Sequence, residues 1–310
     1  MSFSLATITN PLAKNNLLVF RPDSHGALTL DQRPKNHLKS PEDAAPADPE
    51  AKAADDTVVL NAIKKPSALA VVEFEKLVSC DRLRIFTSTP SNSVCQINVY
   101  GVVNGAKPDE RFVCRLSPGF KKLSEHGSKI AHATTLAVCG DGEQGYLFYG
   151  VLDANSKVEA WKISLPDESP VPWTLGYRIA AESYLGATWG RLPGSSSADA
   201  YLAFQVVETE TITGAKATAI AATFHGDKLL VYYFTGPAEK EHGLRLCRTM
   251  FTNFSGSGWT SVHLSAPQAE TGTQLSVQLD SYKGSPRVIV TYVAAGKSEP
   301  ASWFDTLAKV

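Results

Sequence analysis

An all-β ring of six sheet-like repeats, a six-bladed β-propeller, is the fold class that this sequence predicts. Three observations predict it: a short opening pattern recurs six times, a denser apolar run follows each opening, and no apolar stripe at helical spacing competes with the strands.

The openings are Ser4-Leu5-Ala6-Thr7, Ala68-Leu69-Ala70-Val71, Lys129-Ile130-Ala131-His132, Tyr184-Leu185-Gly186-Ala187, Ala219-Ile220-Ala221-Ala222 and Gln274-Leu275-Ser276-Val277. In each, Leu or Ile precedes Ala, Gly or Ser. Ser or Thr stands just before five of the six, with Phe3 the exception. The small residue has a steric reason, because the innermost strands of a ring converge on its axis and large side chains from every repeat would collide there.

The runs that follow are Leu17-Leu18-Val19-Phe20, Leu83-Arg84-Ile85-Phe86, Tyr146-Leu147-Phe148-Tyr149, Tyr201-Leu202-Ala203-Phe204, Leu229-Leu230-Val231-Tyr232 and Val288-Ile289-Val290-Thr291. Their β-branched and aromatic content reads as buried strand. Weaker third strands follow polar turns, as at Val158-Glu159-Ala160-Trp161 and Leu244-Arg245-Leu246-Cys247, and a fourth is visible at Trp259-Thr260-Ser261-Val262. Such a sheet cannot bury both faces alone, so the copies pack face to face and close radially.

The spacing is uneven. Only 35 residues separate the Leu185 and Ile220 openings, against 55 to 64 elsewhere, which predicts a truncated fourth blade. Residues 33 to 62 are rich in Pro, Ala and charge and read as a mobile insertion between the first two blades. The whole chain, 1–310, reads as one domain.

Thirty basic against 31 acidic residues give a formal charge of -1, which offers no field to draw the chain to nucleic acid or an anionic membrane. No run of eighteen apolar residues occurs, and the first residues have no cationic leader pattern, so a cytoplasmic, membrane-free protein is expected. Cys80, Cys95, Cys114, Cys139 and Cys247 form no C-x-x-C pair and read as reduced strand residues. The scattered histidines predict no metal site, and no nucleotide or hydrolase motif is present.

With Leu229-Leu230-Val231-Tyr232-Tyr233 and Gly258-Trp259 after the fifth opening, the repeat resembles the fungal fucose-binding lectin family over nearly the whole chain. The resemblance implies sugar pockets between divergent lectin-like blades, each using a second-strand Arg, a third-strand Glu and an aromatic ring. The Arg column reads Leu18, Arg84, Leu147, Leu202, Leu230 and Ile289, and the acid column keeps Glu159 and Asp31, so no blade holds a complete pair. Losing both charged hydrogen-bonding groups weakens a sugar pocket severely, at about 1.5–3 kcal/mol for each bond.

The degenerate blades also resemble the fungal hetero-Diels-Alderases, secondary-metabolite pericyclases that join a quinone methide to a terpene alkene. That resemblance implies a cofactor-independent enzyme that positions two apolar small molecules and donates hydrogen bonds to a heterodiene oxygen. Breaks in the repeat symmetry supply its candidates. His132 stands in an inner-strand column where other repeats carry Thr7, Val71, Ala187, Ala222 and Val277, and residues 173 to 191 concentrate aromatics and donors. His132, Arg178 and Tyr184 are then the catalytic donors, with Arg84, Glu159, Trp173, Tyr177 and Trp189 binding substrate. This enzyme is the preferred reading from sequence. The alternatives are a divergent fucose- or glycan-binding lectin and a non-catalytic interaction propeller.

Overall fold

Short runs of alternating or wholly apolar side chains form strands that are stable only when a sheet buries them on both faces. The computed structural model describes residues 4–35, 68–74, 96–124, 130, 136–152, 158–171, 184–204, 219–236, 244–252 and 259–307, apart from 12, 24–25, 106, 108–109, 118 and 193–194. The described strands form six antiparallel sheets, each built of consecutive strands. The first holds β1 (Ala6–Thr9), β2 (Asn16–Pro22) and β3 (Leu28–Pro34), and the second holds β4 (Leu69–Phe74), β5 (Gln96–Asn104), β6 (Arg111–Ser117) and β7 (Lys121–Lys122). The third holds β8 (Leu136–Gly140), β9 (Gly145–Leu152), β10 (Val158–Leu165) and β11 (Ser169–Val171), and the fourth β12 (Leu185–Gly190) and β13 (Asp199–Phe204). The fifth holds β14 (Ile220–His225), β15 (Lys228–Thr235), β16 (Arg245–Phe251) and β17 (Trp259–His263), and the sixth β18 (Ser276–Tyr282), β19 (Ser285–Val293) and β20 (Pro300–Thr306). Among the described residues five sheets therefore have three or four strands, and the fourth has two, in the interval where the repeat spacing shortens.

The first strands of successive sheets touch in a closed circuit, β1 to β4, β8, β12, β14, β18 and back to β1. Apolar layers fill the gaps between neighbouring sheets. Leu18 and Phe20 pack on Val99 and Leu116, Tyr100 and Val102 on Leu147 and Tyr149, Phe148 and Ala160 on Leu185, and Tyr232 and Phe234 on Tyr292 and Trp303. Leu17 and Val19 meet Ile289 and join the last sheet to the first.

A narrow channel of about 100 Å³ runs along the axis, lined by the Leu5, Leu69, Leu136, Leu185, Ile220 and Leu275 triplets of all six sheets. The small-residue column is a steric necessity here. A Cβ on Gly186 would lie 3.0 Å from the Ala221 Cα and 3.1 Å from the Ile220 carbonyl oxygen, so β12 and β14 approach backbone to backbone. Gly186→Val is expected to destabilise the fold by about 1–3 kcal/mol through overpacking, read as a lower Tm in a thermal melt.

The seam between last and first sheets is made by side chains. Gln274 Oε1 accepts the backbone N–H groups of Leu5 (3.0 Å) and Leu69 (2.9 Å), and its Nε2 donates to the Leu69 carbonyl (2.7 Å). Ser276 and Gln278 continue the row with bonds to Thr7. The period of two that runs from Gln274 into β18 directs these three toward β1, while Leu275 and Val277 point into the fifth–sixth sheet layer. Farther out, Asp280 accepts Lys35 Nζ at 3.0 Å and Arg287 Nε at 2.8 Å.

Three sequence expectations need correction. The third opening is Leu136-Ala137-Val138, six residues beyond Ile130-Ala131; Ile130 forms only an isolated bridge to Val151. The second strand of the second sheet is β5, not Leu83–Phe86. Residues 33–35, expected to open the 33–62 insertion, instead finish and follow β3 with Arg33 and Lys35 buried, and 36–62 lie outside the described residues.

Candidate functional site at the wide mouth of the hub

The inner strands run the same way along the axis, and beyond their C-terminal ends the channel widens into a cavity of about 360 Å³. Its floor is apolar, with Val71, Val138, Ala187, Ala222 and Val277 from five sheets. Ile8, Leu279 and Trp189 wall it, and Glu73, Asp141, Thr188, Thr223 and Gln278 supply polar atoms.

Local structure orients these groups. Glu73 is half-buried near the end of β4, whereas Asp141 opens the 141–144 turn between β8 and β9. Asp141 Oδ1 accepts the N–H groups of Glu143 (3.0 Å) and Gln144 (2.9 Å), while Oδ2 has a long 3.5 Å contact with Gln144 Nε2. Burial works against its charge, yet the Gln144 and Glu143 N–H groups hold its carboxyl below the ordinary aspartate range. Burial pushes the Cys139 thiol up to about 12, so this lining sulfur is neutral at physiological pH.

Trp189 stacks on Tyr146 of β9 with ring centroids 6.1 Å apart and an interplanar angle of 28°. Lys162 Nζ lies 4.2 Å from the Tyr146 ring centroid. The Trp189 Nε1 is buried and has no hydrogen-bond partner among the described residues. Gly190 is required beside it, because a Cβ there would meet the Phe224 ring at 2.1 Å.

Of the residues singled out from sequence, Trp189 alone lines this cavity among the described residues. Tyr184 sits at the opposite end of β12, where its hydroxyl donates to the Gly272 carbonyl at 3.2 Å and burial pushes its pKa up to about 12. Tyr184 and Trp189 therefore do not share a site. Glu159 lies on β10 with Trp161 and Ile163, on the face toward the second sheet, whereas Trp189 packs against the other face of the third sheet. His132, Arg84, Trp173, Tyr177 and Arg178 lie outside the described residues. The column that singled out His132 is filled instead by Val138. Glu73, Asp141 and Gln278 were not singled out, because in sequence they are an ordinary strand end, a turn residue and a strand residue.

No protein-family profile matches the chain, and no curated protein matches it in sequence. Solved structures do. The Aleuria aurantia lectin, described as a six-bladed β-propeller with a fucose recognition mode, superposes with a TM-score of 0.57 at 14% identity over 99% of this chain and 94% of the lectin. AofleA from Arthrobotrys oligospora gives 0.56 at 12% identity over 99% and 86%. SapL1 lectin in complex with α-methyl fucoside gives 0.51 at 12% over 98% and 95%. The chain has a lectin-like all-β propeller fold.

Among the described members of the column read from sequence as the lectin Arg position, Leu18, Leu230 and Ile289 pair with the third residue beyond the hub Leu or Ile, whereas Leu147 and Leu202 pair with the second, Val138 and Ala187. At the third position each of the six sheets has a pair. Those pairs are Leu18↔Ile8, Asn98↔Val72, Tyr146↔Cys139, Tyr201↔Thr188, Leu230↔Thr223 and Ile289↔Gln278. None is arginine. Leu18, Leu230 and Ile289 are buried in the apolar layers between sheets. Tyr146 and Tyr201 instead make aromatic contacts on either side of the two-stranded sheet, with Trp189 and with Phe224 (5.2 Å).

Proposed function

We propose that the chain is a glycan-binding propeller of six blades, the two-stranded sheet being the truncated fourth, and that its sugar site is the wide mouth of the hub. The stacked Trp189–Tyr146 pair beside Glu73, Asp141 and Gln278 carries this reading. A sugar presents an apolar C–H face and a rim of hydroxyls. The first packs on an aromatic ring, and the second donates to carboxylate and amide oxygens. A cavity of about 360 Å³ falls in the range of small-ligand sites. Apolar residues at three of the former arginine positions argue against six fucose pockets of the lectin kind.

The hetero-Diels-Alderase reading has less support. Of its three catalytic donors only Tyr184 is described, and its hydroxyl is engaged by Gly272 away from the cavity. A glycan array separates the two readings, since a pericyclase binds no immobilised sugar. Trp189→Ala is expected to weaken binding of an array-positive sugar roughly ten- to thirty-fold with the fold retained by circular dichroism. An array with no positive, or an affinity untouched by this substitution, refutes the proposal.

A further inference from the structure

We infer that the sugar taken at the hub mouth carries a positive charge: an amino sugar with a free ammonium group, of the chemical class of glucosamine. This rests on the carbohydrate reading above and adds the charge. Glu73 and Asp141 are the two charged side chains among the described lining residues, and no Lys, Arg or His is among them. Lys162 lies over the Tyr146 ring, which itself stacks on Trp189.

The backbone bonds to Asp141 fix the carboxylate through Oδ1, which leaves Oδ2 with a long contact to Gln144 as its one bond among the described residues. A carboxylate held this way is preorganised to accept a donor, and an ammonium is the strongest donor a sugar offers. The apolar floor offers a ligand no polar side chain of its own. It also leaves a neutral acetamide without a charged partner to replace the lost bond. The channel below, at about 100 Å³, is too narrow to admit a pyranose ring, so the ligand stops at the level of the two carboxylates.

The test titrates the full chain with glucosamine, N-acetylglucosamine and glucose at pH about 6, where the amine is protonated, by calorimetry and Trp fluorescence. Glucosamine is expected to bind at least tenfold more tightly than either neutral sugar. The preference should shrink to within about twofold in Glu73→Gln and in Asp141→Asn, whose side-chain oxygen still accepts the turn N–H groups, with Tm retained in both. Equal binding of the three sugars, or a preference for the acetylated one, overturns the charge and leaves the carbohydrate site standing. Failure of all three to bind, together with an empty glycan array, overturns both.

Discussion

Gln274→Leu is expected to lower the stability of the propeller by about 3–6 kcal/mol, the largest loss from any single neutral substitution near the axis. One buried amide satisfies two backbone N–H groups and a carbonyl from the first two blades. Leucine fills a similar volume and satisfies none of them. Each polar group left unpaired in the interior costs about 1–3 kcal/mol, and the total is a large part of the 5–15 kcal/mol typical of a native fold. Gln278→Leu, which removes one bond to the Thr7 carbonyl at 2.8 Å, provides the scale. It is expected to cost about 1–2 kcal/mol. Urea denaturation of both variants checks the ratio. Equal losses would mean that the seam is held by its apolar layer and not by this amide.

The size of that loss follows from how the ring closes. The first and last blades are each made of consecutive strands, so no strand is shared across the seam. Closure therefore depends on Gln274 and the side chains of β18, on the Leu17–Val19–Ile289 layer, and on outer pairs such as Arg21–Glu299 at 2.7 Å.

The hub was legible in the sequence because crowding at an axis admits few side chains, and Leu-Ala or Leu-Gly repeats wherever that crowding does. Its third copy was misread for a physical reason. Ile130-Ala131 and Leu136-Ala137 both satisfy the small-residue column, and both follow Ser or Thr. What separates them is the hairpin, since Asp141 and Gly142 turn the chain immediately after Leu136–Gly140 so that it pairs with β9. Counting back from that turn would have found the strand and placed Val138 in the hub column. The site was less legible. Tyr184 and Trp189 look like one cluster at five residues apart, yet an extended strand separates them by about 16 Å. Glu73, Asp141 and Gln278 come from three blades, and only closure of the ring brings them to one mouth.

Asp280→Ala is expected to cost about 3–5 kcal/mol, because it strands two buried cations. The side chains of Lys35 and Arg287 are 6% and 5% exposed, and both bond to this carboxylate. Lys35 also donates to Thr9 Oγ1 at 3.0 Å, and Arg287 to the Lys35 carbonyl at 3.3 Å, so the three residues tie the end of β3 to β18 and β19. Paired charges of this kind stabilise little, since the desolvation of each ion offsets their attraction. The triple substitution Lys35→Met, Asp280→Leu, Arg287→Met is accordingly expected to recover to within about 2 kcal/mol of the native protein. Chemical denaturation of the single and triple variants measures both numbers. Recovery in the triple variant would assign the ions to fixing where the chain leaves β3, because the stability would then survive without them. A triple variant as weak as Asp280→Ala would instead show that the charges themselves hold the seam.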